Sequence, residues 1–206
     1  MSLFELVCVI GIACVLAALA LSAMARSHAT LWRTRCVSSL KYISLAYRIF
    51  ETDNNDLFPF QIPIKDGGSL ELSNNIVAQF QILSNELSTP KMLICPTRTI
   101  QQTAATNWAT LQRSNISYYL SLTASASQTN SILTGDAGFT VNGALSANRI
   151  VVLSATDKIV YPNRFHGKAD VANLCRVDGS VQEFGSKAFP AMLKSTPYAT
   201  NLLVMP

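Results

Sequence analysis

The sequence predicts an α+β protein: one long N-terminal helix packed against a C-terminal antiparallel β-sheet that forms most of a globular head. Three observations predict it. Residues 6–25 carry no charged side chain, a stretch long enough as a helix to cross a hydrocarbon core of roughly 30 Å. Past Arg26 the apolar residues recur at helical spacing on one face. From Ile116 onward the helical period gives way to short runs of β-formers separated by turn residues. A long helix followed by hairpins is the order of an α+β fold.

The first element spans 1–53, with no proline before Pro59 to interrupt it. Its first half, 1–25, is apolar apart from Glu5. Its second half, 26–53, is amphipathic: Cys36, Leu40, Ile43, Tyr47 and Phe50 form one stripe, while Arg33, Lys41, Ser44, Arg48 and Glu51 fall largely elsewhere. The aromatics Trp32, Tyr42, Tyr47 and Phe50 read as packing residues. Asp53-Asn54-Asn55-Asp56 ends the helix with turn formers.

The head, 54–206, is about 150 residues, enough for one domain with a modest core. Phe58-Pro59-Phe60 and Ile62-Pro63-Ile64 read as an extended connector into an Asp66-Gly67-Gly68 turn. Ser73-Asn74 reads as the cap of a second helix over 75–87, with Val77, Phe80, Leu83 and Leu87 on one face and Pro90 as its stop. Met92 to Cys95 reads as a short buried strand, and 97–112 as polar loop with some helix. Ile116 to Leu122 reads as a strand, and Ile132 to Thr134 as a second, turned by Gly135-Asp136. Arg149–Ser154 and Lys158–Tyr161 are expected to pair as a hairpin. So are Val171–Val177 and Ser180–Phe184, around the turn dipeptide Asp178-Gly179. Lys187 to Lys194 reads as a short helix broken near Pro190, and the apolar tail 197–206 either docks on a neighbour or adds an edge strand.

Composition bounds the function. Hydrophobic residues make up 49% of the chain, inflated by the first helix, and charged residues only 14%. A net charge of +4, scattered along the chain, does not argue for a nucleic-acid partner. A weakly charged polar head suits a molecule packed against copies of itself, and suits a secreted domain equally. Of the five cysteines, Cys8 and Cys14 read as small apolar residues of the first helix. Cys36, Cys95 and Cys175 remain, and in an oxidising compartment any two could pair, leaving one over. No C-x-x-C occurs, and the two histidines, His28 and His166, lie far apart, so no metal site is expected from spacing.

Glu5 is the most informative residue. A carboxylate within such a segment costs on the order of 2.5–3.5 kcal/mol if central in lipid and needs a cation. Arg26 lies too far along the helix; the nearest candidate is an α-amino group, that of Met1 or of a neighbouring copy displaced along an axis. Met1-Ser2-Leu3-Phe4-Glu5-Leu6-Val7 followed by an apolar helix resembles the mature N-terminus of type IV pilins and type II secretion pseudopilins. The resemblance implies a basic leader clipped by a prepilin peptidase, N-methylation of Met1, and a Glu at the fifth mature position. Met1 stands where Phe is more usual, and the chain reads as already processed. The positive-inside tendency would place Arg26, His28, Arg33 and Arg35 in the cytoplasm; in the family, the removed leader carries competing basic charge.

A second patch, Phe165-His166-Gly167-Lys168-Ala169-Asp170 with Val177-Asp178-Gly179-Ser180-Val181, resembles a C-terminal motif of pilin-like proteins common in planctomycete- and verrucomicrobia-type bacteria. The 11 residues between His166 and Asp178 are slightly more than that pattern has, which implies an insertion or bulge. Asp53 to Pro59 and Gln81 to Lys91 resemble the same group, so the likeness spans Met1 to about Phe184. It implies a structural role for His166, Asp178 and Gly179, and a Cys36–Cys95 disulfide, since cysteine is frequent at both places in the family. Calcium is a further implication, because related pseudopilins can hold an ion in a C-terminal loop. Asp136, Asp157, Asp170 and Asp178 are scattered with no loop of alternating acids, so no ligand set is assigned.

His166, Asp178 and Ser180 offer the residue types of a catalytic triad, but nothing resembles a nucleophile elbow, and a turn accounts for Asp178-Gly179. No enzymatic activity is expected. Two functions follow as expectations. The first is a structural subunit that enters the inner membrane, is extracted by a pilus or secretion assembly machinery, and polymerises with identical copies into an extracellular filament or a periplasmic pseudopilus. The second is a monomeric, membrane-anchored envelope binding module or enzyme.

Overall fold

The computed structural model describes residues 3–96, 102–145, 149–161 and 170–206, with the backbone alone described at 22–29 and at Leu145. Helix α1 runs Leu3–Asp53, 51 residues and hence about 77 Å at 1.5 Å per residue. Its end is the expected turn: Asn55 and Asp56 adopt left-handed φ of 56° and 60°, and Asp56 N–H returns to Glu51 C=O at 3.0 Å. Asn and Asp tolerate this region better than other non-glycine residues.

The head is α+β. Strands β1 (Tyr118–Ser121), β2 (Ile132–Asp136), β5 (Ile150–Ser154), β7 (Val171–Arg176), β8 (Val181–Gly185) and β9 (Thr200–Val204) form one antiparallel sheet in the order β5-β9-β1-β2-β7-β8. Strands β3 (Thr140–Val141), β4 (Ala144–Leu145) and β6 (Ile159–Val160) form a smaller one, ordered β4-β3-β6. Alternation along the strands splits the core in two. Tyr118, Leu120, Cys175 and Val204 face α1, where Cys36, Leu40, Ile43, Tyr47 and Phe50 pack with Phe58, Phe60 and Phe80. Tyr119, Leu174 and Leu203 face the other way, against Phe139, Ile159, Tyr161 and the short helix α3 (Phe189–Ser195). The large sheet is therefore covered on both sides.

The amphipathic stripe of α1 is the head's core as expected, with Cys36, Leu40, Ile43 and Tyr47 wholly buried. Ser44 is buried as well, and Trp32 and Tyr42, read as packing residues, are about half exposed. The hairpin β7–β8 forms around Asp178-Gly179: Gly179 takes φ 82°, and Arg176 N–H bonds to Ser180 C=O at 3.0 Å.

Several elements depart from expectation. The connector is not extended but coils through 3-10 turns at Pro59–Gln61, Ile64–Asp66 and Leu70–Leu72. Helix α2 is shorter, Ile76–Gln81, and its cap is Asn75, whose side chain accepts from Val77 and Ala78 N–H. Pro90–Leu93 is a 3-10 turn rather than strand. Gly135 and Asp136 continue β2 instead of turning it. Strands β5 and β6 are sequential but do not pair: β5 pairs with β9 and β6 with β3. Pro190 lies in the first turn of α3 and starts that helix, its missing N–H being one of the unbonded donors there. The tail is no edge strand: β9 sits between β5 and β1. The β3–β4 hairpin turns on Asn142-Gly143, both left-handed at φ 52° and 85°.

Candidate functional site

The feature with no counterpart in an ordinary globular domain is the free half of α1. From Leu3 to Leu21 it has a mean hydropathy of 2.7 and none of it is buried, so it is long and apolar enough to cross a membrane. Eleven large apolar side chains in this span, Leu3, Phe4 and Leu6 through to Leu21, are 51–83% exposed. They do not form a stripe. At about 100° per residue, Leu3, Phe4, Leu6, Val7, Val9 and Ile10 cover all but the side on which Glu5 lies, and Ile12, Val15, Leu16 and Leu19 cover that side further along. A helix apolar all round needs an apolar medium all round, either lipid or a ring of neighbouring apolar helices.

Glu5 stands in the first turn of this helix and is exposed, where the N–H groups and helix dipole favour a negative charge. Met1 and His166 lie outside the described residues. Arg26 is 21 residues beyond Glu5, about 31 Å along the axis, which rules it out as a partner within one straight helix.

The other half of α1 is locked to the head. Beyond the apolar stripe, Arg33 Nε meets Glu183 Oε2 of β8 at 2.7 Å. The β7–β8 turn presses on the same helix: a Cβ added at Gly179 would lie 3.8 Å from Ser44 Oγ and 3.9 Å from an Arg48 guanidinium nitrogen. Asp178 Oδ1 accepts from Ser180 N–H at 2.8 Å. Burial acts to raise its carboxyl, but the Ser180 hydrogen bonds and the Arg176 and Arg48 charges win and hold it below the ordinary value. Asp178 and Gly179 are thus accounted for by the turn and by its seat on α1.

The structure brings Cys36 and Cys95 together, as two thiols rather than a disulfide. Asp136 joins them, and one sulfur or carboxylate oxygen from each of the three lies within 4.8 Å of the others. Cys36 Sγ donates to Asp136 Oδ1 at 3.2 Å and lies 3.3 Å from Tyr118 Oη. The other carboxylate oxygen, Oδ2, accepts Asn173 backbone N–H at 2.7 Å and Asn173 Nδ2 at 3.2 Å. Cys36, Cys95 and Tyr118 are wholly buried, and Asp136 and Asn173 are 1% exposed. Register explains the meeting. Tyr118 and Asp136 are directly paired across β1–β2, so their side chains share the face on which α1 lies. The Leu93 carbonyl accepts Ser117 N–H at 2.8 Å, which draws the Cys95 loop to the start of β1.

Burial, then the neighbouring Cys95 and Asp136, push the Cys36 thiol well above its usual range. Burial pushes the lone Cys175 up to about 12. A protonated, enclosed thiol is a poor nucleophile. The sequence missed this cluster because its members are 59, 41 and 100 residues apart, far from any metal-binding spacing. The acids considered for calcium do not converge: Asp157 caps the turn after β5, Asp170 contacts Ser186 and Tyr161 N–H, Asp178 serves its own turn, and Asp136 is in the buried cluster.

Comparison with known proteins returns nothing: no family model matches the sequence, and neither the curated proteins nor the solved structures contain a match.

Proposed function

We propose that the chain is a structural subunit, a pilin or major pseudopilin, that polymerises with identical copies into a helical filament, either extracellular or periplasm-spanning. The observation that carries this reading is the continuity of α1, which is apolar on every side at one end and is the core of the head at the other. A simple tether needs only the apolar half. A helical lattice also needs each head held at a fixed orientation to its stalk, and an unbroken helix meets that need.

Before assembly the free half of α1 lies in the inner membrane; in the filament it lies among other stalks. Relative to water, covering these eleven side chains is worth about 1.5–3 kcal/mol each, roughly 16–33 kcal/mol per subunit, which keeps each stalk buried once the filament is outside the membrane; it does not drive the transfer from lipid, which is equally apolar. In this reading the contact links different surfaces of identical copies and its rotation does not close into a ring, so the product is an open fibre. Glu5 pairs with the Met1 amine of the next subunit, so that a growing end accepts only a chain that neutralises its charge. Cleavage by a prepilin peptidase and methylation at Met1 follow from the sequence resemblance. No catalytic role, cofactor or nucleic-acid partner enters this reading.

The test is negative-stain microscopy of material sheared from producing cells, with N-terminal sequencing of any fibres. Wild-type chain should give fibres that begin at methylated Met1. Glu5→Gln should abolish or strongly reduce them while the protein still accumulates in the membrane. Abundant normal fibres from Glu5→Gln would refute the charge pairing. Wild-type protein recovered only as dispersed single molecules would refute the filament and leave the membrane-anchored module.

A further inference from the structure

We propose that Cys36, Cys95 and Asp136 form a structural binding site for one thiophilic divalent cation of the Zn²⁺ class, which ties α1, the loop after Pro90–Leu93 and β2 together inside the head. This inference does not depend on the filament.

The donor set selects the ion. Two sulfurs and one carboxylate oxygen disfavour hard cations such as Ca²⁺ and Mg²⁺, which take oxygen ligands in larger number. In a tetrahedral zinc site, bonds of about 2.3 Å to sulfur and 2.0–2.2 Å to oxygen place ligand atoms about 3.4–3.8 Å apart. Cys36 Sγ and Asp136 Oδ1 are already 3.2 Å apart, and all three ligand atoms lie within 4.8 Å. Closing the widest gap needs a movement of about 1 Å, within reach of side-chain rotation. Tyr118 Oη, 3.3 Å from Cys36 Sγ, lines the same site.

The surroundings have the form of a metal site's outer layer. Asn173 holds Asp136 Oδ2 with two N–H groups and leaves Oδ1 aimed at the thiols. Such outer hydrogen bonds orient a ligating carboxylate. Charge balances as well. Binding replaces two thiol protons with one M²⁺, so two S–H bonds break, two metal–sulfur bonds form, two protons leave, and the formal charge of the pocket does not change.

A disulfide is the competing use of the same cysteines. It needs a thiol oxidant to remove two electrons and two protons. It also takes the Cys36 S–H donor away from the buried Asp136 Oδ1, whereas a metal keeps that oxygen engaged. The geometry with its third ligand therefore favours the ion.

The experiment uses the full-length chain, produced in zinc-supplemented medium and purified in detergent. Native mass spectrometry should find one Zn²⁺ per chain, released by a mercurial that titrates thiols. Replacement by Co²⁺ should give a thiolate-to-metal charge-transfer absorption, a signature that packing alone does not produce. Asn173→Ala, which keeps all three ligands, should weaken the metal by about 10–100-fold while circular dichroism stays native. Asp136→Asn should abolish binding; where it does not fold, the Asn173→Ala titration decides. A zinc-exposed chain that stays metal-free with Cys36 and Cys95 both as free thiols overturns the proposal. So does a native chain whose Cys36 and Cys95 are joined, seen as a mass two hydrogens lighter, and so does unchanged affinity in Asn173→Ala.

Discussion

Replacing Tyr47 with alanine tests whether the second half of α1 is the core of the head or a cover laid on it. Tyr47 is wholly buried, with ring centroids of Phe58, Phe60 and Phe80 at 6.0, 6.3 and 6.4 Å. Its hydroxyl donates to the Gln79 carbonyl at 3.1 Å, and Gln79 in turn bonds through its side chain to Ser69 and Leu72. Tyr47→Ala removes a large ring from this nest and leaves a buried carbonyl without its donor. Large-to-small aromatic substitutions of this kind cost about 3–5 kcal/mol. For a head of this size each kcal/mol moves the melting temperature by about 2–4 °C, so the expected fall is roughly 6–20 °C. Tyr47→Phe keeps the ring and loses only the hydrogen bond, for about 1 kcal/mol. Tyr42→Ala, five residues earlier and 53% exposed, should stay within about 0.5 kcal/mol. Thermal unfolding of the detergent-solubilised chain, followed by near-ultraviolet circular dichroism, reads all three. A Tyr47→Ala loss under about 1 kcal/mol, or one matched by Tyr42→Ala, would refute the claim that the second half of α1 is part of the head's core.

Two further outcomes follow from the geometry. Gly135→Ala places a Cβ 2.6 Å from Tyr119 Oη, 2.8 Å from Tyr119 Cζ and 2.9 Å from the Asn173 carbonyl. Because backbone must move, this change should cost about 1–3 kcal/mol, where alanine for glycine in an open strand would gain; urea titration should show a lower midpoint at unchanged slope. Asp157 is held below the ordinary carboxylate value, first by Ser154 N–H at 2.7 Å and then by Asn142 Nδ2 at 2.9 Å. A lowered folded-state pKa means that its stabilisation is present above about pH 4 and is lost as pH falls below that. Asp157→Asn should therefore lower the melting temperature slightly at neutral pH and flatten its decline between about pH 4 and pH 3; a steeper acid decline in the variant would contradict the assignment.

Local signals placed the first helix, its end and the β7–β8 turn, though not the length of α2 or the coiled connector before it. The apolar period that placed Cys36, Leu40, Ile43, Tyr47 and Phe50 on one face needs only the helix's own geometry, and all five are buried. Asp178-Gly179 marked a hairpin because a left-handed residue is needed there; Asn142-Gly143 holds the same kind of dipeptide at the β3–β4 turn, a hairpin not among those expected from the sequence. What could not be read locally is which strand lies beside which. β5 and β6 looked like partners because they are neighbours in the chain, yet pairing energy comes from whichever strand completes a buried face. The tail strand β9 does so for β5, with Leu203 on one side of the sheet and Val204 on the other. The sequence by itself determined a long helix, apolar then amphipathic, and a head built of β-formers, because these follow from the spacing of apolar side chains. Only the tertiary structure decided the strand order and the meeting of Cys36, Cys95 and Asp136, because contacts between residues as many as 100 apart are set by how separate elements stack.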